Sequence, residues 1–254
     1  MCAFERSEKG MEFNMKKAIH ISVIIVIIVA IFFTGLMIIL RYDEKGETNM
    51  PFDITKISVI SKADGDNVED DKNIWNKKIS QNNDIYIYIE KNENYSKTET
   101  INNVLLNNFK VIENPQIGNI SFYKPSTSEN ANFENKDEFK TDSIIFTGKQ
   151  ASNIQALEIS NQGGIVAFRC ANENIGNYIS NDEELDNSKF LKGLNINYEQ
   201  IKAKISFDLD ITLEEGREFK TTIELEIPNQ DVIEKGTSGK DLTDLDIVFK
   251  RIEN

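Results

Sequence analysis

Between Ala18 and Leu40 the chain runs AIHISVIIVIIVAIFFTGLMIIL, twenty-three residues without Asp, Glu, Lys or Arg. A helix rises about 1.5 Å per residue, so such a run reaches roughly 34 Å. The hydrocarbon core of a bilayer is about 30 Å thick, so the run predicts one membrane-spanning helix with some length left for tilt. A removable signal peptide would have an apolar stretch of about 7–15 residues and a small-x-small cleavage site. Here Gly35 to Leu40 stays apolar up to Arg41, with no such site. The expectation is an uncleaved signal anchor over residues 18–40, whose first partner is the lipid bilayer.

Flanking cations set the expected direction. Arg6, Lys9, Lys16 and Lys17 precede the span, and Arg41 and Lys45 follow it. Four against two favours a short cytoplasmic head, residues 1–17, and a C-terminal domain outside the cell membrane. Met11 and Met15 are alternative starts. His20 is the sole histidine. It lies about one turn from the expected interface, where a neutral imidazole reaches water by snorkelling.

The formal charge is −13. Residues 1–40 hold four basic and three acidic groups, so the remainder carries −14. A surface that negative repels phosphate backbones and anionic lipid, which argues against nucleic acid as a partner. Cys170 is the one cysteine beyond Cys2, so the outer portion has no internal disulfide. A secreted eukaryotic β-domain of this size usually carries several. With richness in Asn, Ile, Lys and Glu and only four Pro, the composition resembles that of a bacterium with AT-rich DNA.

Residues 41–50 (RYDEKGETNM) read as a polar stalk, and 51–254 as an extracytoplasmic β-rich domain, or two small subdomains. Candidate strands are Phe52–Ser61, Asp84–Glu90, Phe109–Glu113, Asn119–Tyr123, Ser143–Thr147, Ile154–Ile159, Gly164–Ala171 and Asp246–Ile252. Each is short, rich in β-branched or aromatic residues, and bounded by turn-forming residues. Their spacing suits an antiparallel, Ig-like β-sandwich. Asp182–Leu194 is the one short helix expected in the domain, with acids at its start and lysines at its end. Asp64–Lys72 and Ser126–Lys140 read as exposed loops.

The clearest element is a hairpin between Ile201 and Ile227. Apolar residues alternate from Ile201 to Leu213 and again from Phe219 to Ile227, a period of two that no helix supports. A three-residue loop, Glu214–Gly216, pairs Ile211 with Phe219 and keeps apolar residues opposite each other. Gly216 then takes the left-handed position of that loop. The same register sets Asp210 opposite Lys220 and Lys204 opposite Glu226 on the wet face.

Chemistry has few parts to draw on. Hard cations want several carboxylate oxygens in one loop, so Asp64, Asp66, Asp70 and Asp71 are the metal candidates. The EF-hand pattern fails there, because its sixth position is Glu69 where Gly is needed. With its histidine in the span, the domain lacks Ser-His-Asp, Cys-His and the usual zinc constellations. No catalytic residue and no cofactor is expected. Arg169 falls on a mostly apolar strand face and calls for a carboxylate partner, while Cys170 reads as a small buried hydrophobe. Trp75, Tyr86, Tyr88, Tyr123 and Tyr178 could form a sugar platform or simply pack. The expected function is a non-enzymatic structural or protein-interaction module of a bacterial cell envelope, its partner another envelope protein. The alternatives are a binding domain for wall glycan or a divalent cation, and a carboxylate-based hydrolase.

Overall fold

The computed structural model describes residues 2–68, 74–95, 97, 99–126, 133–147, 159–160, 163–181 and 184–252. The chain divides into two compact units, Met1–Thr48 and Asn49–Asn254. The first is one helix, α1 (Cys2–Lys45). Within its segment His20–Lys45 an 18-residue window has a mean hydropathy of 3.3 and none of that window is buried, so the helix is long and apolar enough to cross a membrane. Arg41–Lys45, expected in the stalk, continue the helix, and Gly46 ends it in the left-handed conformation (φ 64°). Met50, at the end of the expected stalk, is buried in the β-domain.

The second unit is mainly β, two antiparallel sheets packed face to face, consistent with an Ig-like sandwich. Its strands are β1 (Phe52–Asn67), β2 (Trp75–Lys91), β3 (Ile101–Glu113), β4 (Asn119–Tyr123), β5 (Ser143–Thr147), β6 (Ile159–Ser160), β7 (Gly163–Ser180), β8 (Ala203–Leu213), β9 (Glu218–Ile227), β10 (Thr237–Leu242) and β11 (Lys250–Ile252). One sheet has the order β10–β1–β2–β7–β4, with β6 also joined to β7. The other has the order β11–β9–β8–β3–β5.

Alternation turns one face of each sheet inward. Ile57, Val59, Ile85, Ile87, Ile89, Val166 and Phe168 of the first sheet meet Val104, Leu106, Ile205, Phe207, Leu209, Ile211 and Phe219 of the second. Aromatic pairs bridge the layers, with centroid separations of 4.9 Å for Phe168–Phe207, 5.0 Å for Phe109–Phe122 and 5.7 Å for Phe52–Phe219. Burying each such side chain contributes roughly 1.5–3 kcal/mol. The hairpin register is the expected one: Ile211 pairs with Phe219, Asp210 with Lys220 and Lys204 with Glu226. Gly216 has φ 89°. Ile201 sits one turn before the hairpin, in α3 (Tyr198–Ile201), which Asn197 caps through Gln200.

A second apolar cluster closes the far parts of β1, β2 and β7. Ala63, Ile79 and Ile175 pack there against Phe190 and Leu191 of α2 (Phe190–Gly193), Ile201 of α3 and Val232 of α4 (Val232–Lys235). Among the described residues the domain thus carries three single-turn α-helices where one longer helix was expected. Of the described residues among 182–194, Asn187–Gly193 are helical, because Asp186 caps Ser188 and starts the turn there. The buried residues Ser61, Gln81 and Asn83 form a polar group within the first sheet. Asn83 Oδ1 accepts from Ser61 Oγ at 2.8 Å and Gln81 Nε2 at 2.9 Å, and its Nδ2 donates to Gln81 Oε1 at 3.0 Å.

Candidate functional site

Asp64 and Asp66 lie in β1, not in a loop, because the ladder to β2 runs on to Asn67. They share the outer face of the first sheet. Asp64 Oδ2 accepts from Asn82 Nδ2 at 2.8 Å and meets Lys62 Nζ at 3.0 Å, while Asp66 is exposed. Asp70 and Asp71 fall outside the described residues. Among the described residues no three His, Cys, Asp or Glu side chains gather as metal ligands do.

The aromatic candidates separate. Tyr123 is fully buried and donates to Glu173 Oε1 at 2.6 Å, and burial with that bond pushes its phenol well above the usual range. Tyr178 packs on Phe190, and Trp75 lies 5.5 Å from Lys77 Nζ at the end of β2. Tyr86 and Tyr88 do share a face. Tyr86 packs edge-on against Phe133, and Lys56 Nζ sits 4.2 Å from the centre of the Tyr88 ring. Burial pushes the Cys170 thiol far up, which leaves it a poor nucleophile.

Arg169 has its carboxylate. Its Nε and Nη2 donate to the two oxygens of Asp84 at 2.6 and 3.0 Å. Its Nη1 donates to the Phe133 carbonyl at 3.0 Å and Asn135 Oδ1 at 3.1 Å, which ties residues 133–135 across the outer face. Past them the chain returns along β4: Lys124 N–H donates to the Phe139 carbonyl and Thr141 N–H to the Phe122 carbonyl. The β4 edge of the first sheet is therefore lined by residues 139–141.

The outer face of the second sheet holds a polar cluster. Asp208 and Asp210, expected on the wet face, are only 4% and 5% exposed. Lys220 Nζ lies 2.8 Å from Asp208 and 3.8 Å from Asp210. Thr222 Oγ1 and Asn108 Nδ2 also donate to Asp208, and Asn107 Nδ2 to Asp210.

The opposite edge of the sandwich is different. β10 pairs with β1 from Lys62–Thr237 to Ile57–Leu242, and among the described residues no strand pairs with its other side. Ala63 N–H donates to the Gly236 carbonyl at 2.8 Å, so the odd-numbered β1 residues turn toward β10. Strand alternation then makes Ser61–Ser238 and Val59–Lys240 the hydrogen-bonded pairs. Thr237, Gly239 and Asp241 consequently direct their N–H and C=O groups outward. From the other side of the seam, Asn229 Nδ2 donates to the carbonyls of Val59 at 2.8 Å and Ser238 at 3.0 Å, fixing β10 onto β1. Gly239 does not have a positive φ, and no heavy atom lies within 4 Å of where its Cβ would stand. Neither backbone conformation nor packing requires a glycine there. A glycine inside a strand without such a need leaves the backbone bare to close approach.

Beside this edge, a groove of about 420 Å³ opens between β9 and β10, lined by Tyr198, Glu226, Asn229, Gln230, Asp231 and Lys240 among others. Tyr198 donates to Glu226 at 3.0 Å. Burial first, and that bond second, push the Tyr198 phenol up to about 12. Hydrogen bonds from Tyr198 and Lys202 hold the Glu226 carboxyl below its usual range. β11 pairs only with Glu218–Lys220 of β9, and Glu226 near the other end of that strand lines the groove.

No family model matches the chain, and no curated protein or solved structure is significantly similar to it. Sequence reasoning missed β10, because Thr-Ser-Gly-Lys-Asp-Leu reads as a polar turn. The isolated Gly239 was the one signal available.

Proposed function

We propose that this chain is a membrane-anchored, non-enzymatic interaction module of a bacterial cell envelope, with α1 as the anchor and the sandwich outside. The partner is another envelope protein, and it binds by adding an extended strand to β10. The open backbone edge of β10 at Gly239 carries this reading, since main-chain groups directed outward are a template for strand addition. The excess of cations before the span supports the orientation. The cation-binding alternative draws no support from Asp64, whose carboxylate is occupied by Asn82 and Lys62.

The test compares the full-length wild type with Gly239→Pro on intact cells, using a membrane-impermeant amine crosslinker and affinity capture. Proline removes an N–H that the fold does not use, so the domain stays folded while strand addition is blocked. The expected result is equal labelling of both chains and crosslinked species that are lost in the variant. Identical crosslinks from both chains would overturn strand addition. A chain left unmodified beside a modified surface control would overturn the orientation.

A further inference from the structure

We infer that the strand added to β10 is β10 of a second copy of this chain, paired antiparallel about Gly239. The inference rests on the strand-addition reading and names its partner. The outward groups of Thr237, Gly239 and Asp241 are spaced evenly about Gly239. Antiparallel pairing centred there sets Gly239 against Gly239 of the second copy and Thr237 against Asp241 of the second copy. Each such pair exchanges both main-chain hydrogen bonds, so every outward N–H of one copy meets an outward C=O of the other. Slipping the register by two residues leaves groups at both ends unmatched.

The side chains agree with this register. The directly opposed pairs are Gly with Gly, Thr237 with Asp241, and Ser238 with Lys240. No like charges face each other, and a hydroxyl stands opposite each charged group. The contact is locally neutral, because Lys240 and Asp241 cancel and Asp241 also lies 3.2 Å from Lys56. The rest of the domain's negative charge is screened beyond about 8 Å at physiological salt. A basic peptide is a poorer occupant. The carboxylates flanking the edge already have cations: Glu226 has Lys202 at 3.2 Å, Asp231 has Lys235 at 2.6 Å, and Asp241 has Lys56. Anchoring in one plane also raises the concentration at which copies meet. Because the interface is self-complementary, it closes at two and does not propagate.

The test uses the full chain in mild detergent and in native membranes, on a Cys2→Ser background. Cys170 is buried and stays out of the reaction. In this register position 239 is the only one of the outward three that meets itself, at a Cα separation of about 5.5 Å, within disulfide reach. Gly239→Cys should therefore crosslink to itself on mild oxidation. Thr237→Cys and Asp241→Cys should each remain uncrosslinked alone and crosslink when mixed. At position 237 a charge should move the dimer dissociation constant in opposite directions. Thr237→Lys, facing Asp241, should tighten it, and Thr237→Asp should weaken it, each by about fivefold because the pair occurs twice. A wild type that sediments as a monomer across the micromolar range, or equal self-crosslinking at 237 and 239, would overturn self-pairing. If Gly239→Pro still loses its crosslinked species in that case, strand addition stands with a different partner. If Gly239→Pro changes nothing, both readings fall together.

Discussion

Arg169 shows how one buried charge organises its surroundings. It lies 4% exposed on the outer face of the first sheet and is held by Asp84 on one side and by residues 133–135 on the other. Two ions taken out of water are costly unless geometry and extra hydrogen bonds offset the loss, and here both oxygens of Asp84 are engaged. Removing one partner strands the other. Asp84→Ala is expected to lower stability by about 3–5 kcal/mol in urea unfolding, whereas Asp84→Leu with Arg169→Met should recover most of it. A single variant that loses less than about 1 kcal/mol would mean that water reaches the pair. The need for a carboxylate was legible in the sequence, from an arginine on an apolar strand face. Its identity was not, because Asp84 and Arg169 are joined only by the pairing of β2 with β7.

At the scale of elements, the β8–β9 hairpin was legible down to its register, since strict alternation and one loop glycine leave a single consistent pairing. What its outer face does was not legible. Alternation marks Ser206, Asp208 and Asp210 as wet, yet they are covered by neighbours on β3 and β9, and the shorter ion pairs run diagonally, as Lys204 with Glu224 and Lys220 with Asp208, while the directly opposed Asp210 and Lys220 stand 3.8 Å apart. β10 escaped altogether because polar residues and a glycine carry no hydrophobic period, and tertiary pairing alone makes them a strand. The strand portions beyond Ser61 in β1 and before Asp84 in β2 escaped for the same reason.

The buried Asp208 has a consequence for acid stability. Burial pushes its carboxyl up, but hydrogen bonds from Lys220, Thr222 and Asn108 outweigh that and hold it below the usual range. A carboxyl lowered on folding stabilises above its unfolded pKa of about 3.9 and loses that contribution as pH falls through the folded value. Lys220 is raised by its bond to Asp208, so its contribution is full at neutral pH and is lost only as alkaline pH passes the folded value. Thr222→Val should therefore be less stable than wild type at pH 6, with the gap narrowing below about pH 4. A gap independent of pH would assign the loss to packing.

For the whole molecule, the division after Thr48 means that the β-domain carries its own core. A fragment Asn49–Asn254 should unfold cooperatively with the midpoint of the full chain. A fragment starting at Asp53 removes Met50 and Phe52, 8% and 2% exposed, and should melt roughly 10 °C lower. Equal midpoints for the two fragments would show that the entry segment adds nothing to the core. The broad plan, one apolar helix and then a β-sandwich, was legible because both signals are periodic or compositional. The open edge was not, since an edge is defined by what fails to pair with it.

The chain enters the sandwich at Phe52, at the head of a strand that is paired with β2 along nearly its whole length and with β10 over its middle. A pull applied at that entry in line with the strand acts along β1. To free the strand it must slide β1 past its neighbours and break their hydrogen bonds together, not one after another as in peeling. A pull in line with β1 would therefore load this ladder in shear, its most resistant direction.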